Sequence, residues 1–348
     1  MKKLSKIFSI GLFVYLFIGS FVYSANAQTQ PINITASPTL FDLSLKPGDT
    51  VTKSFRVRNN TTTSVPLSIT LKKIIPDTGG QLIVQDFKNT DSYQSWLTVA
   101  TATPTAAPQE WTTVQFTLNI PKDAAFGYYW AIVVAPSSIS GNLTTSGAHI
   151  TGALAIPVLL AVQKEGITFG GKLLDFITDA SFYEYLPTTF LTTLENNGNI
   201  HIRPTGDIFI TDWTGKQVGF VKVNPDFGAI LPNAKRTFAT TWNDSFITRD
   251  PKIEDGKVMT DSKGHPEYAI HFHFDKVLSL RIGKYKASEL VVISGDKKDI
   301  SFERTLTFFV FPWKIVLGLL VVILLAALGL WNTIHTLWKH GRKVFRRQ

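Results

Sequence analysis

Two apolar runs decide the fold of this chain: GYYWAIVVA at residues 127–135 and GALAIPVLLAV at residues 152–162. Neither run contains a charged residue, and both contain the aromatic or β-branched residues that favour strands. A half-buried strand alternates polar and apolar residues, whereas a continuous apolar run is typical of a strand inside a sheet. The two runs are therefore predicted to be central strands.

Alternating polar and apolar residues predict further strands before these runs. In VTKSFRVR at residues 51–58, the side chains of Phe55 and Val57 fall on one face. The segments VPLSITLKKII (65–75) and TTVQFTLNI (112–120) follow the same pattern. Turn sequences rich in Gly, Asn, Asp and Pro recur between the candidate strands, and short strands at this spacing indicate antiparallel β-sandwiches.

The charge of the chain is concentrated at its two ends. The 348 residues carry 35 Lys and Arg against 26 Asp and Glu, a formal net charge of +9. Residues 28–313 carry equal numbers of both signs, so the main argument for a nucleic-acid partner disappears. Basic ends instead fit a role in membrane topology. The basic residues at the ends are Lys2, Lys3, Lys6, Lys314, Lys339, Arg342, Lys343, Arg346 and Arg347.

Residues 1–27 are predicted to be a secretory signal peptide. A basic start precedes an apolar segment at residues 7–23. The small residues Ala25 and Ala27 then form an A-x-A cleavage site, which leaves Gln28 as the new N-terminus. The alternative is that the segment is kept as an uncleaved anchor.

A second apolar run, at residues 315–331, predicts a transmembrane helix that we place at residues 312–334. As a helix the run is ~26 Å long, close to the thickness of the hydrocarbon core. The tail at residues 335–348 is basic, so the positive-inside rule places it in the cytoplasm. We therefore expect a single-pass type I protein of the cell membrane, with an extracellular ectodomain.

The exported segment exceeds the length of one sandwich, which is about 100 residues. We predict an all-β ectodomain of two Ig-like antiparallel β-sandwiches in tandem, at residues 28–165 and 166–311. A weak internal repeat supports the division, because residues 55–71 and 191–210 share a strand, an Asn-rich turn, a proline and a second strand. The polar stretch at residues 244–266 predicts a long exposed loop or an extra hairpin.

The residues that carry chemistry form no recognisable catalytic motif. The chain has no cysteine, which excludes disulfides, thiol nucleophiles and Cys-based zinc sites. His271 and His273 are spaced for one strand face and would begin a metal site only with a third ligand such as His265 or Asp275. A solvated strand face is the preferred alternative. We predict a protein without catalytic activity, cofactor or metal.

Tryptophans offer the best candidate for a ligand contact. Trp130 lies inside an apolar run and is predicted to belong to the core. Trp213 stands beside the turn formed by Thr214 and Gly215, so we predict that its ring is exposed and contacts a ligand. Exposed aromatic rings stack on sugar rings, which makes a glycan the first ligand to consider.

The order of these parts resembles the WxL-interacting proteins of bacterial cell surfaces. The matching segments are SPTLFDL (37–43), LKPGD (45–49), VRNN (57–60), GAHITGALAIPVLLAV (147–162), LENNGN (194–199) and RIGKY (281–285). The resemblance implies two Ig-like domains before a transmembrane helix, with peptidoglycan binding through the first domain and partner or host proteins on the second. It assigns binding to no individual residue.

We therefore predict a membrane-anchored cell-surface binding or scaffold protein that holds a cell-wall polymer or another surface protein. A chaperone-like assembly factor, which offers an edge strand to exported clients, is the alternative. A cell-wall hydrolase is less favoured and would require a cleft with converging carboxylates of shifted pKa.

Overall fold

The computed structural model describes residues 34–77, 79–137, 153–254, 256–295 and 298–345, the last ten of these as backbone only. The predicted cleavage-site residues Ala25, Ala27 and Gln28 lie outside the described residues, as do residues 147–152 of the segment 147–162 that carries part of the family resemblance. Within the described part, the chain is built from β-strands arranged as two Ig-like sandwiches, followed by one α-helix.

The first sandwich consists of two facing sheets. One sheet contains, in spatial order, β1 (Ile34–Ser37), β3 (Thr50–Asn59), β8 (Trp111–Asn119) and β6 (Leu97–Val99). The other contains β2 (Phe41–Leu45), β10 (Leu154–Val162), β9 (Phe126–Pro136), β4 (Val65–Pro76) and β5 (Leu82–Gln85), with the short β7 (Thr105–Ala106) also on β4. Both apolar runs form inner strands of this second sheet, as predicted.

The second sandwich repeats this strand order. One sheet contains β11 (Lys172–Thr178), β13 (Thr188–Glu195) and β16 (Lys235–Trp242). The other contains β12 (Phe182–Tyr183), β22 (Ile300–Val310), β21 (Gly283–Ile293), β14 (Thr205–Thr211) and β15 (Gln217–Lys222). In each sandwich the chain starts in one sheet and then crosses to the other. β1 and β11 pair antiparallel with β3 and β13 of the first sheet, and β2 and β12 pair parallel with β10 and β22 of the second sheet.

A buried asparagine fixes the same turn in both sandwiches. Asn59 ends β3 and donates its amide hydrogens to the carbonyl oxygens of Thr63 and Ala106. Asn196, just after β13, donates in the same way to Ile200 and to a carbonyl of a later loop. Each side-chain oxygen accepts the backbone N–H two residues on. Both side chains are fully buried, so their hydrogen bonds hold the turn from inside.

β9 contributes to two hydrophobic cores at once. Trp130, Ile132 and Val134 point into the first sandwich, where all three are fully buried. The intervening residues Tyr129 and Ala131 point the other way. They pack in a second core, which consists mainly of residues of the second sandwich. Because a strand sends successive side chains to opposite faces, this double burial explains why the run is apolar throughout.

An insertion and the terminal helix extend the second sandwich. Between β16 and β21 the chain forms a hairpin of β17 (Ile247–Pro251) and β20 (Tyr268–Phe272), with a smaller hairpin of β18 (Ile253–Glu254) and β19 (Lys257–Val258) at its tip. A 3₁₀ helix at Phe274–Ser279 follows. The polar stretch therefore forms the extra hairpin. After β22, the helix α1 runs from Trp313 to Phe345.

Candidate functional site

Within the described part of the chain, the first half of β10 has a strand on one side only, and we call its other side the open edge. β10 pairs with β9 along its whole length, whereas β2 pairs only with residues 158–162. Among the described residues, no strand pairs with residues 154–157 on the side away from β9. Alternate backbone groups along a strand point to each side, so only every second N–H and C=O group of residues 154–157 lies on this edge, and no strand of the described chain pairs with them.

The side chains of this edge are uncharged and apolar. Ile156 is fully buried in the first core, and Leu154 is partly buried against it. Ala155 is exposed on the opposite face. Pro157 lacks an N–H and so ends the run of donors next to β2. An added strand would therefore pair through the backbone of residues 154–156 and place alternate side chains beside the first core.

The corresponding edge of the second sandwich is protected. β12 pairs only with Phe309 and Val310, which leaves most of β22 without a strand on that side within the described chain. There, however, Arg304 donates hydrogen bonds of 2.8 Å and 3.2 Å to the carbonyl oxygens of Leu174 and Leu173 on β11. Charge on an edge strand disfavours strand addition. Of these two edges, the edge of β10 is therefore better suited to accept an added strand.

A cluster of half-buried aromatic rings lies on another side of the first sandwich. The 3₁₀ helix Ser92–Trp96 packs Tyr93 against Trp130, with ring centroids 5.3 Å apart, and Trp96 against Tyr128 at 4.5 Å. Lys73 forms a 2.7 Å ion pair with Asp91 beside these rings, and this hydrogen bond holds the pKa of Asp91 below its usual value. The adjoining pocket is lined by Leu71, Asp91, Ser92, Gln94, Ser95 and Leu97.

A polar contact fixes the seam between the two sandwiches. The carboxylate of Asp42 on β2 makes a 2.8 Å hydrogen bond with His201 Nε2 and a 3.1 Å ion pair with Arg203 Nη2. Burial raises the pKa of Asp42, but the hydrogen bond and charge of His201 and the charge of Arg203 outweigh it, so the pKa lies below its usual value. The ring of Tyr129 meets His201 edge-on, with centroids 5.6 Å apart.

The turn between β4 and β5 also touches the second sandwich. Gly80 has a φ of +77°, and a Cβ there would lie 1.5 Å from the carbonyl oxygen of Lys235. Only glycine fits this close approach of two backbones. Apolar packing, the Asp42 contact and this turn together join the two sandwiches.

One buried carboxyl has a strongly shifted pKa. Glu289 on β21 is 2% exposed inside the second sandwich, and burial raises its pKa to about 7, while a hydrogen bond from Thr192 and the charge of Arg304 oppose the shift. A hydrolase requires such a group in a cleft beside a second carboxylate. Glu289 instead faces Thr192 of the opposite sheet, in the core.

The histidine pair does not form a metal site within the described residues. β20 ends at Phe272, so His273 lies outside the strand that carries His271. His273 Nε2 lies 2.9 Å from the hydroxyl of Thr248, which donates to Asp250. Because the hydroxyl proton of Thr248 is donated to Asp250, His273 must be the donor to Thr248. These three side chains are therefore held by hydrogen bonds to one another. The described part of the chain contains no group of three His, Asp or Glu residues suited to a metal.

The tryptophans lie as the sequence predicts. Trp130 is fully buried, whereas Trp213 is 76% exposed in the turn between β14 and β15. Asp212 fixes this turn by accepting bonds from the N–H groups of Thr214 and Lys216. The open β10 edge was missed by sequence reasoning, because it depends on where β2 stops pairing.

Comparisons with known proteins found similar shapes only. No family model and no curated protein matches the chain. Among solved structures, the class 5 fimbriae chaperone CfaA is 13% identical, with 78% of this chain and 98% of that chain covered and a TM-score of 0.35. The CsuC-CsuE chaperone–tip adhesion subunit complex of Acinetobacter baumannii is 11% identical, with coverage of 78% and 97% and a TM-score of 0.37.

The Pseudomonas aeruginosa CupB2 chaperone is 10% identical, with coverage of 78% and 100% and a TM-score of 0.32. At these identities and TM-scores, the matches carry no inference about the function of this chain.

Proposed function

We propose that this chain is a non-catalytic, membrane-anchored surface protein that binds an extended segment of another exported protein by strand addition to β10. The observation that carries the proposal is the open, uncharged edge at residues 154–157. Backbone hydrogen bonds would supply the affinity, and contacts of alternate side chains would supply the selectivity. Such binding needs no cofactor and no metal.

The helix α1 provides the anchor. Its residues Trp313–His335 have a mean hydropathy of 2.6 over the most apolar window, and none of that window is buried. A helix of this length spans the hydrocarbon core of a bilayer. The five basic residues near the C-terminus favour a cytoplasmic tail and an extracellular ectodomain. Membership of the WxL-interacting family remains a proposal that this order of parts supports.

The test uses the full chain in lipid nanodiscs and an extract of surface proteins from the same cells. The variant Ala155→Lys places a charge on the open edge, and we expect it to weaken capture at least about tenfold, a loss of about 1.4 kcal/mol. Thr305→Lys on the Arg304-protected edge of β22 is the matched control. Both residues are exposed, so both variants should keep the fold.

A photo-reactive residue at position 155 then identifies the partner. We expect it to cross-link to one exported protein, whereas the same residue at position 305 should not. Equal capture by the two lysine variants, or cross-links from position 305 alone, would contradict strand addition at β10. A client released after folding would favour the chaperone-like variant of this function over a permanent scaffold.

A cell-wall polymer is the second candidate ligand, and the aromatic cluster around Tyr93, Trp96 and Tyr128 favours it. The partly buried rings adjoin a pocket lined by Asp91 and the polar Gln94, and sugars bind through aromatic and polar contacts together. The full chain in nanodiscs should then pellet with wall sacculi stripped of protein, and Trp96→Ala should abolish pelleting while Ala155→Lys leaves it unchanged. No pelleting would dismiss this candidate.

A further inference from the structure

The topology places several loops of the second sandwich at the end where α1 begins. β22 runs toward α1 and pairs Val310 with Gly283, so β21 starts at that end. β14 finishes there, because Thr211 pairs with Lys286 close to the start of β21. The turn that holds Trp213 therefore lies beside Gly283, where a Cβ would be 3.5 Å from the indole ring.

The 3₁₀ helix Phe274–Ser279 belongs to the same end. The carbonyl oxygen of Ser279 accepts a hydrogen bond from Phe246, which follows the last residue of β16 by four positions. Arg281 donates to the backbone and the carboxylate of Asp244, with N–O distances of 2.8 Å and 3.0 Å. The segment is therefore fixed to the sandwich, and at most about 30 Å of chain separates its first residue, Phe274, from Gly283.

The connection to the helix is short and held in place. Only Phe311 and Pro312 separate β22 from α1. The N–H of Phe311 donates to the carbonyl oxygen of Tyr183 at 2.8 Å. Lys314, in the first turn of α1, forms a 2.8 Å ion pair with Glu184. The end of the sandwich is thus fastened to the first turn of the apolar helix.

The side chains at this end are large, apolar and exposed. Phe274 is 78% exposed, Leu278 is 102% exposed and Trp213 is 76% exposed. Val277, Phe311 and further apolar residues of the insertion are also exposed. Several large, exposed apolar side chains at one end of a domain indicate an interaction site, and aromatic residues are enriched where protein meets the headgroups of a bilayer. We name Trp213, Phe274, Val277 and Leu278 the membrane-end surface.

We infer that the membrane-end surface rests in the headgroup layer of the same bilayer that α1 spans, so that the second sandwich lies directly on the lipid. The inference depends on the proposed span of α1. Its occupant is lipid because the surface lies beside the start of a span to which the sandwich is fastened. Lys216 and Lys284 lie at the same end and suit anionic headgroups.

The test uses the absence of cysteine from the chain, since a single introduced cysteine is then the only labelling site. Phe274→Cys and Leu278→Cys report on the membrane-end surface. Leu325→Cys reports on the span. Trp111→Cys, whose native side chain is 41% exposed on β8 of the first sandwich, is the matched control. Each full-length variant carries a nitroxide and is reconstituted in phosphatidylglycerol–phosphatidylethanolamine vesicles.

Collision rates with oxygen, which partitions into lipid, and with a nickel chelate, which stays in water, give the position of each label. We expect oxygen to dominate at 325 and the chelate to dominate at 111, with the ratio of oxygen to chelate collisions at 274 and 278 between these two. If 325 lies in lipid while 274 and 278 behave like 111, the inference fails and the span stands. Protection of 274 and 278 from both reagents would show a protein cover and also overturn it.

A chelate-accessible label at 325 would instead contradict the span and hence the proposed anchor. The two failures are therefore distinguished by one set of variants.

Discussion

Asn59 in the first sandwich and Asn196 in the second have the same structural role. Each closes a turn from the inside through hydrogen bonds to backbone groups that have no access to water. The sequence indicated both turns through their Asn-rich repeats. It did not indicate which asparagine is buried, because the second carbonyl partner comes from a loop more than 30 residues away.

Asn59→Ala and Asn196→Ala should each lower the free energy of unfolding by about 3 kcal/mol, because each leaves buried backbone groups unpaired. Urea unfolding followed by tryptophan fluorescence measures the loss. Asn119→Ala is the control, since Asn119 is exposed and makes one contact with Thr50, and it should change stability by less than about 0.5 kcal/mol. A cost at Asn196 no larger than the control would refute the equivalence of the two turns.

Glu289 makes stability depend on pH. Its pKa rises from 4.5 in the ordinary state to about 7 in the fold, so the folded protein retains a proton that the unfolded chain loses. The free energy of unfolding therefore falls as pH rises from 4.5 to 7, by up to about 3 kcal/mol. Glu289→Gln removes this fall, because the amide stays neutral.

Urea unfolding at pH 5 and pH 8 tests this prediction. Relative to wild type, Glu289→Gln should gain more stability at pH 8 than at pH 5. Glu303→Gln, an exposed neighbour on β22, should show no such difference. Equal effects of Glu289→Gln at the two pH values would mean that Glu289 is ionised throughout.

At the scale of elements, β9 shows how far sequence patterns reach. Its apolar run was predicted to be a central strand, and this is confirmed. The pattern could not reveal that one face serves a second core, since its partners lie in β-strands of the other sandwich. The exposure of the apolar residues Phe274 and Leu278 was not predicted either. No polar residue alternates regularly with them, so no pattern indicated which side of the segment faces outward.

Ala131→Asp should separate the two cores. Ala131 is fully buried on the face of β9 that meets the second sandwich, and an unpaired carboxylate there costs several kcal/mol. The opposite face of β9, with Trp130 and Ile132, keeps its packing. Calorimetry should therefore change from one unfolding transition to two, and small-angle scattering should show a larger radius of gyration.

Ala155→Asp is the matched control for this element, because Ala155 is exposed on the neighbouring strand β10. It should leave a single transition. Unchanged calorimetry in Ala131→Asp would show that the seam adds little to the stability of either sandwich.

At the scale of the molecule, the seam orients the first sandwich relative to the second, which continues into α1. The pKa of Asp42 is lowered in the fold, so the contact stabilises above the ordinary carboxyl pKa of 3.8 and is lost as pH falls below it. Asp42→Asn should cost about 1 kcal/mol at pH 7, because Asp42 is partly exposed and solvent screens its charge.

Urea unfolding at pH 7 measures this cost, and Asp123→Asn, an exposed acid of the same sandwich, should cost nothing. If the two variants lost equal free energy of unfolding, Asp42 would not stabilise the contact between the sandwiches. Two sandwiches and a long apolar helix were predictable from strand patterns and hydropathy. Their mutual orientation was not, because it depends on His201 and Arg203 reaching a residue about 160 positions earlier.

The direct passage from β22 into α1 has a mechanical consequence. In the proposed anchored protein, a pull between a bound partner and the membrane enters the second sandwich at the end of β22, and its component along the strand acts on the pairs with β21. All 11 residues of β22 pair with β21, so their hydrogen bonds are loaded in shear and share the force. A strand peeled from its end breaks its bonds one at a time, whereas a strand in shear must break them together. If the proposed anchor holds, the last strand before α1 is thus placed where it resists tension along the strand.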